Sequence, residues 1–152
     1  MRALVNQKLY FARLTLDQAA QAPHGEAAHT ALLQATVFHL ITAYRCYLRE
    51  IAADNRLTIV ADTADAALRQ ISDTAAPEFS ELAALERGDT WLAHLLGVYC
   101  EISQPAPVIT ASSTANIPLI NITESISVDA CHEWLHALQD VMQQQRGNAQ
   151  EW

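Results

Sequence analysis

From Glu26 to Ala53 the chain runs without a single glycine or proline, and that stretch limits the fold more than any other feature. Uninterrupted helix formers of this length predict one long helix. Leu33, Val37, Leu40, Ile41, Tyr44, Leu48 and Ile51 recur at helical spacing and make its main face. The opposite side is not truly polar, because Ala28, Ala35, Phe38, Ala43 and Cys46 interrupt the charges. A helix that is apolar on more than one side belongs at the centre of a bundle.

The remaining punctuation divides the chain around that helix. A first helix is expected over Ala3–Ala20, with Val5, Leu9, Ala12, Leu16 and Ala19 as its apolar stripe. Pro23 and Gly25 mark the turn that follows. Asp54-Asn55 ends the long helix, and Leu57–Ala61 reads as a β-branched connector able to pair with a later strand-like segment. Two short helices follow. One runs from Thr63 to Ile71 behind an Asp62 cap, and one from Pro77 to Glu86. Gly88 breaks the chain, and Asp89 is expected to cap a helix over Thr90–Ser103. There Trp91, Leu95, Val98 and Ile102 point one way, with Leu92 and Tyr99 on the shoulder. Residues 104–126 read as a long loop, of a length that is often functional. A last helix begins after Ser127 and reaches Arg146, with Cys131, Leu135, Leu138 and Met142 as its core stripe. Residues 147–152 are a frayed tail. The expectation is one all-α domain over 1–152. Four main helices form a bundle, with two short extra helices and a long loop before the last.

Charge and cysteine content narrow the function classes. Residues 1–56 carry six basic and four acidic side chains, whereas 57–152 carry three basic and thirteen acidic. The acidic part would repel phosphate backbones, so a nucleic-acid partner is disfavoured. No run approaches the roughly 18 apolar residues of a membrane span. Arg13 and Asp17 interrupt the N-terminal apolar residues before a secretory core can form. Cys46, Cys100 and Cys131 are odd in number and lie in apolar helical patterns. They read as reduced core residues of a cytosolic protein, and Asn121-Ile122-Thr123 is then not a glycosylation site.

His132-Glu133-Trp134-Leu135-His136 has the spacing of a zinc-peptidase helix, in which two histidines grip the ion and the glutamate takes a proton from bound water. Three features argue against catalysis. The apolar axis of this helix passes through Cys131, Leu135, Leu138 and Met142, leaving His132, Glu133 and His136 on its wetter side. A catalytic zinc wants three protein ligands. Asp140 follows one turn on and Glu151 sits in the tail; His94 and Glu101 are the best upstream candidates, and nothing aims them at His132. The motif also lies on the final helix, without a substrate strand beside it. The expectation is no cofactor and no metal, with His132 and His136 as the fallback metal pair.

Other constellations are weaker. Arg87 and His94 loosely fit the Arg/His spacing of helical-bundle ribonucleases, but Gly88 and Asp89 separate them. His39 suits a helix–helix interface, and His24 and His29 read as surface residues of the turn. The stripe Asn6/Tyr10/Arg13/Asp17 is the most interesting surface. Arg13 and Asp17 can pair one turn apart, and Tyr10 can stack on the guanidinium. Tyrosine and arginine are frequent interface anchors. Asn6, Tyr10, Arg13 and Trp152 are therefore the candidate partner-binding residues.

Two stretches resemble a known family. Asn6-Gln7-Lys8-Leu9-Tyr10-Phe11-Ala12-Arg13-Leu14 resembles the opening of a family of short gammaproteobacterial proteins classed only as a domain of unknown function. Ser127, Trp134, Gln145-Arg146 and Glu151-Trp152 are similar to that family's C-terminal pattern, and Thr90-Trp91-Leu92-Ala93 also fits. The resemblance implies a helical cytosolic protein with no established activity, so no catalytic residue carries over. Its pattern keeps Trp134 without requiring His132, Glu133 or His136, and its charged loop differs from residues 104–126 here. The expected function is a non-enzymatic adaptor or regulator that binds another protein or a second copy of itself as a homodimer. The alternative is a small zinc-dependent hydrolase built on His132, Glu133 and His136.

Overall fold

The computed structural model describes residues 1–71, 76–104 and 126–148. They form six helices: α1 (Arg2–Gln21), α2 (Ala27–Asp54), α3 (Ala64–Leu68), α4 (Pro77–Arg87), α5 (Trp91–Ser103) and α6 (Val128–Asn148). The all-α expectation holds, and each predicted helix is present with its ends moved by a few residues at most. Residues 57–60 are not a strand, and the later strand-like segment expected to pair with them lies outside the described residues.

α2 is the hub. It packs against α1, α4, α5 and α6, and the long helices close a ring in the order α1, α2, α5, α6. All five residues of the α1 stripe are buried, as are all seven of the main α2 face and all four of the α6 stripe. The second apolar side of α2 is used as well: Ala43 and Cys46 are buried. Phe38 stays largely exposed and meets Tyr99 of α5 edge-on, with ring centroids 5.4 Å apart.

The α1–α2 hairpin is closed by local chemistry. Gly25 takes φ +83°, a left-handed conformation that costs glycine nothing. His29, expected on the surface, is buried. Its Nδ1 donates to the Ala19 carbonyl at 2.9 Å, and its ring meets His24 at 4.6 Å. The reason is the sharp turn, which folds the first turn of α2 back over the end of α1. The Thr15 and Thr36 hydroxyls, 2.8 Å apart, join the two helices further along.

Four further expectations are corrected. Thr63, rather than Asp62, caps α3, its hydroxyl accepting from the Ala66 N–H at 3.1 Å. Thr90, rather than Asp89, caps α5 by accepting from Ala93. In both cases the threonine stands next to the first helical residue, where its hydroxyl reaches the free N–H groups. On α5, Leu92 is fully buried, whereas Trp91 and Ile102 are only partly so. The apolar arc of this helix is broad and faces away from His94 and Glu101, so its centre falls nearer Leu92 than the Trp91–Ile102 stripe. Cys100 is exposed, unlike Cys46 and Cys131. Burial pushes the Cys131 thiol up to about 12.

Two carboxylates tie the elements together. Glu86 at the end of α4 accepts from the Tyr44 hydroxyl at 2.6 Å and from the N–H groups of Ala64 and Asp65 at 2.8 Å each. It thus satisfies the start of α3 from a different helix. Burial and the adjoining Glu86 charge push the Tyr44 phenol well above its usual range. Glu50 of α2 is the other. Arg146 of α6 grips it with two prongs, Nε to Oε1 at 2.8 Å and Nη2 to Oε2 at 2.9 Å. Arg2 adds a third contact at 3.4 Å. The Arg146 guanidinium also lies 5.4 Å over the Tyr47 ring. Beside it, Tyr47 donates to Gln145 at 2.9 Å, and Gln145 donates to Glu81 at 2.8 Å.

The end of α2 has one strained point. Arg56 takes φ +56°. Its N–H bonds to Ala53 and that of Leu57 to Ala52, an arrangement that usually has glycine in the left-handed position.

Three measurements check this account. Arg146→Ala leaves a buried carboxylate with only the exposed Arg2 as partner, and urea unfolding should record a loss of about 2–4 kcal/mol. Arg56→Gly removes the left-handed strain and should gain about 0.5 kcal/mol in the same assay. In the folded protein a thiol reagent should modify Cys100 promptly, with Cys46 and Cys131 reacting only after denaturation.

Candidate functional site

Among the described residues, α1 and α6 do not close on each other along their outer edges. Two adjoining depressions, of about 470 and 190 Å³, share Asn6, Leu9 and Gln139 and so make one groove. Arg146 reaches Asn6 at one end while Gln139 meets Tyr10 and Arg13 at the other, so the two helices run antiparallel. Leu9 and Met142, both part of the core, form the floor. Asn6, Gln139 and Gln143 supply side-chain amides along the walls, and Arg146 and Gly147 close the end.

Helical spacing explains the lining. Asn6, Tyr10 and Arg13 follow one another at four and three residues and share the flank of α1 turned to α6. Gln139, Gln143 and Arg146 do the same on α6. The three N-terminal candidates from the sequence are thus brought together. Tyr10 is 60% exposed and makes only a tilted contact with Phe11, centroids 6.1 Å apart. The expected Arg13–Asp17 pair is not made, and Tyr10 does not stack on Arg13. An acid is better placed before its base than after it along a helix, because that order also suits the helix dipole. Arg13 therefore has no carboxylate at ion-pair distance among the described residues. The fourth candidate, Trp152, lies outside them.

Arg146 is the residue that sequence reasoning missed here, together with Gln145 and Glu50. The stripe that runs through Leu138 and Met142 reaches Gln145 next, which placed an amide on the buried side. A buried amide calls for polar partners on the facing helix, and Glu50 and Tyr47 stand on the stretch of α2 that α6 meets. A cavity of about 380 Å³ beside this network is lined by Arg2, Tyr47, Glu50, Asp54 and Glu78, among others. Burial raises the Tyr47 phenol above its usual range, although Arg146 pulls the other way.

The histidine motif falls on the outer half of α6. His136 and Glu133 are exposed and His132 is half-buried, as its angular position predicts. Trp134 and Leu135, between them, are core residues. Glu133 lines a separate groove of about 440 Å³ toward α5, with His94, Glu101 and Trp134. His94 itself is 2.8 Å from Asp89. Among the described residues no three of His, Cys, Asp and Glu are grouped so as to hold a metal ion. Asp140 is exposed on α6, and Glu151 lies outside the described residues. Arg87 and His94 also stay apart, because Arg87 pairs with Asp65 at 2.8 Å. His39 does sit at a helix–helix contact, edge-on to Phe11 at 5.6 Å. Burial, aided by the Lys8 charge, lowers its affinity for a proton.

These features define a helical bundle with a polar-walled groove on one edge. No described helix is long and apolar enough to cross a membrane. A model of a family of unknown function, DUF6586, matches residues 1–152, and the chain belongs to that family. No curated protein matches it, and no solved structure does.

Proposed function

We propose that this chain is a non-enzymatic, cytosolic adaptor or regulator whose α1–α6 groove receives an extended acidic segment of a partner protein. The observation that carries the reading is the pairing of Tyr10 and Arg13 at the groove's edge, an aromatic ring in solvent beside a cation without a carboxylate. Exposed tyrosine and arginine supply most of the energy in many interfaces. A carboxylate on the incoming segment would complete Arg13. Asn6, Gln139 and Gln143 can each donate and accept, which suits the backbone of a chain that brings no internal hydrogen bonds. Leu9 and Met142 offer one apolar contact between them, and methionine adapts to varied side chains.

A selection from random displayed peptides tests the reading directly. Enriched sequences should place an acidic residue near an apolar one. Arg13→Glu should weaken the best of them at least tenfold, and Tyr10→Ala should weaken it about as much. His94→Ala, on the far side of α6, should leave binding unchanged. Peptides without acidic preference, or ones indifferent to Tyr10 and Arg13, would remove the groove from consideration. Sedimentation of the free chain at increasing concentration shows whether a second copy is the occupant.

A further inference from the structure

The geometry points to His132 and His136 as a two-imidazole site for a borderline divalent transition ion, Zn²⁺ or Ni²⁺, on the surface of α6 and without hydrolytic chemistry. Residues four apart on a helix stand one above the other. Here the two rings are nearly parallel, 18° apart, with centroids separated by 6.3 Å. Two imidazoles that share one tetrahedral ion, each with a metal–nitrogen distance of about 2.0–2.1 Å, have centroids about 5 Å apart. Stacked, nearly parallel planes do not meet at one point, so both rings also turn about their side-chain torsions until the ion lies in the plane of each. Neither ring has a hydrogen bond or an ion pair within the described residues, so no contact has to be given up when the nitrogens turn to the ion. His132 is half-buried, while His136 is exposed. Once the first imidazole has bound, the second is already at high local concentration.

The same geometry sets the limits of the site. Two nitrogens leave at least two coordination positions to water, because among the described residues no third His, Cys, Asp or Glu is grouped with them. Glu133 projects toward the α5 groove, beside His94 and Glu101. The residue that would act as base in a peptidase therefore lines a different surface depression. His132, His136, Gln139 and Gln143 follow one another at helical spacing, so the ion would sit on the flank of α6 that borders the α1 groove.

The other histidine pair serves as the internal control. His24 and His29 are closer, at 4.6 Å, but His29 is buried and its Nδ1 is committed to the Ala19 carbonyl.

Calorimetric titration of the untagged, chelator-treated full chain with zinc chloride, and separately with nickel chloride, tests the site. One saturable site per chain is expected. His136→Ala and His132→Ala should each weaken it at least about tenfold, while Glu133→Gln, His94→Ala and His24→Ala should leave it intact. Because His136 is exposed, its alanine variant should keep the native helical circular dichroism. A titration without saturable binding overturns the assignment, as does binding that survives in His136→Ala. Loss of binding in Glu133→Gln would also overturn it, by returning the glutamate to the ion. The peptide selection does not depend on any of these outcomes.

Discussion

The two-pronged bond between Arg146 and Glu50 is the constraint on which the arrangement of the helices depends. Taking a carboxylate out of water costs several kcal/mol, and only good geometry recovers it. Glu50 is 3% exposed, so it tolerates α6 in one place only. A purely apolar seam between α2 and α6 could slide or rotate with little penalty. The ion pair, together with the Tyr47–Gln145 hydrogen bond one residue away, fixes both the register and the rotation of α6. That rotation in turn decides which side chains border α1 and which border α5.

Fixing α6 in this way also explains why its two flanks differ. The α1 side gathers amides and a guanidinium over two core residues. The α5 side gathers His94, Glu101 and Glu133, an acidic lining. One helix thus borders two surfaces of different chemistry.

Much of this was legible in the sequence, because most apolar stripes here are narrow and regular. Val5 through Ala19 and Leu33 through Ile51 named their buried faces correctly, and the lack of glycine and proline between Glu26 and Ala53 named the hub. The errors have two causes. Leu92 was set on the shoulder because the apolar arc of α5 is too broad for one stripe to mark its centre. His29 and the two threonine caps depended on how a turn brings backbone groups within reach, which periodicity does not report. Around the groove, the grouping of Asn6, Tyr10 and Arg13 on one flank of α1 was legible from their spacing. The wall opposite them was not, because Gln139, Gln143 and Arg146 lie more than 120 residues away in the chain, and only packing makes them neighbours.

Arg146 belongs at once to the groove and to the pin. Its Nη1 faces the Asn6 amide oxygen while Nε and Nη2 hold Glu50. Under the proposed function, recognition and architecture draw on the same side chain and cannot be tuned independently there. Any replacement that reshapes this end of the groove also loosens the bundle, a local trade-off between adaptability and endurance. Substitution at Tyr10, Arg13, Gln139 and Gln143 is freer, because none of them holds a buried charge in place.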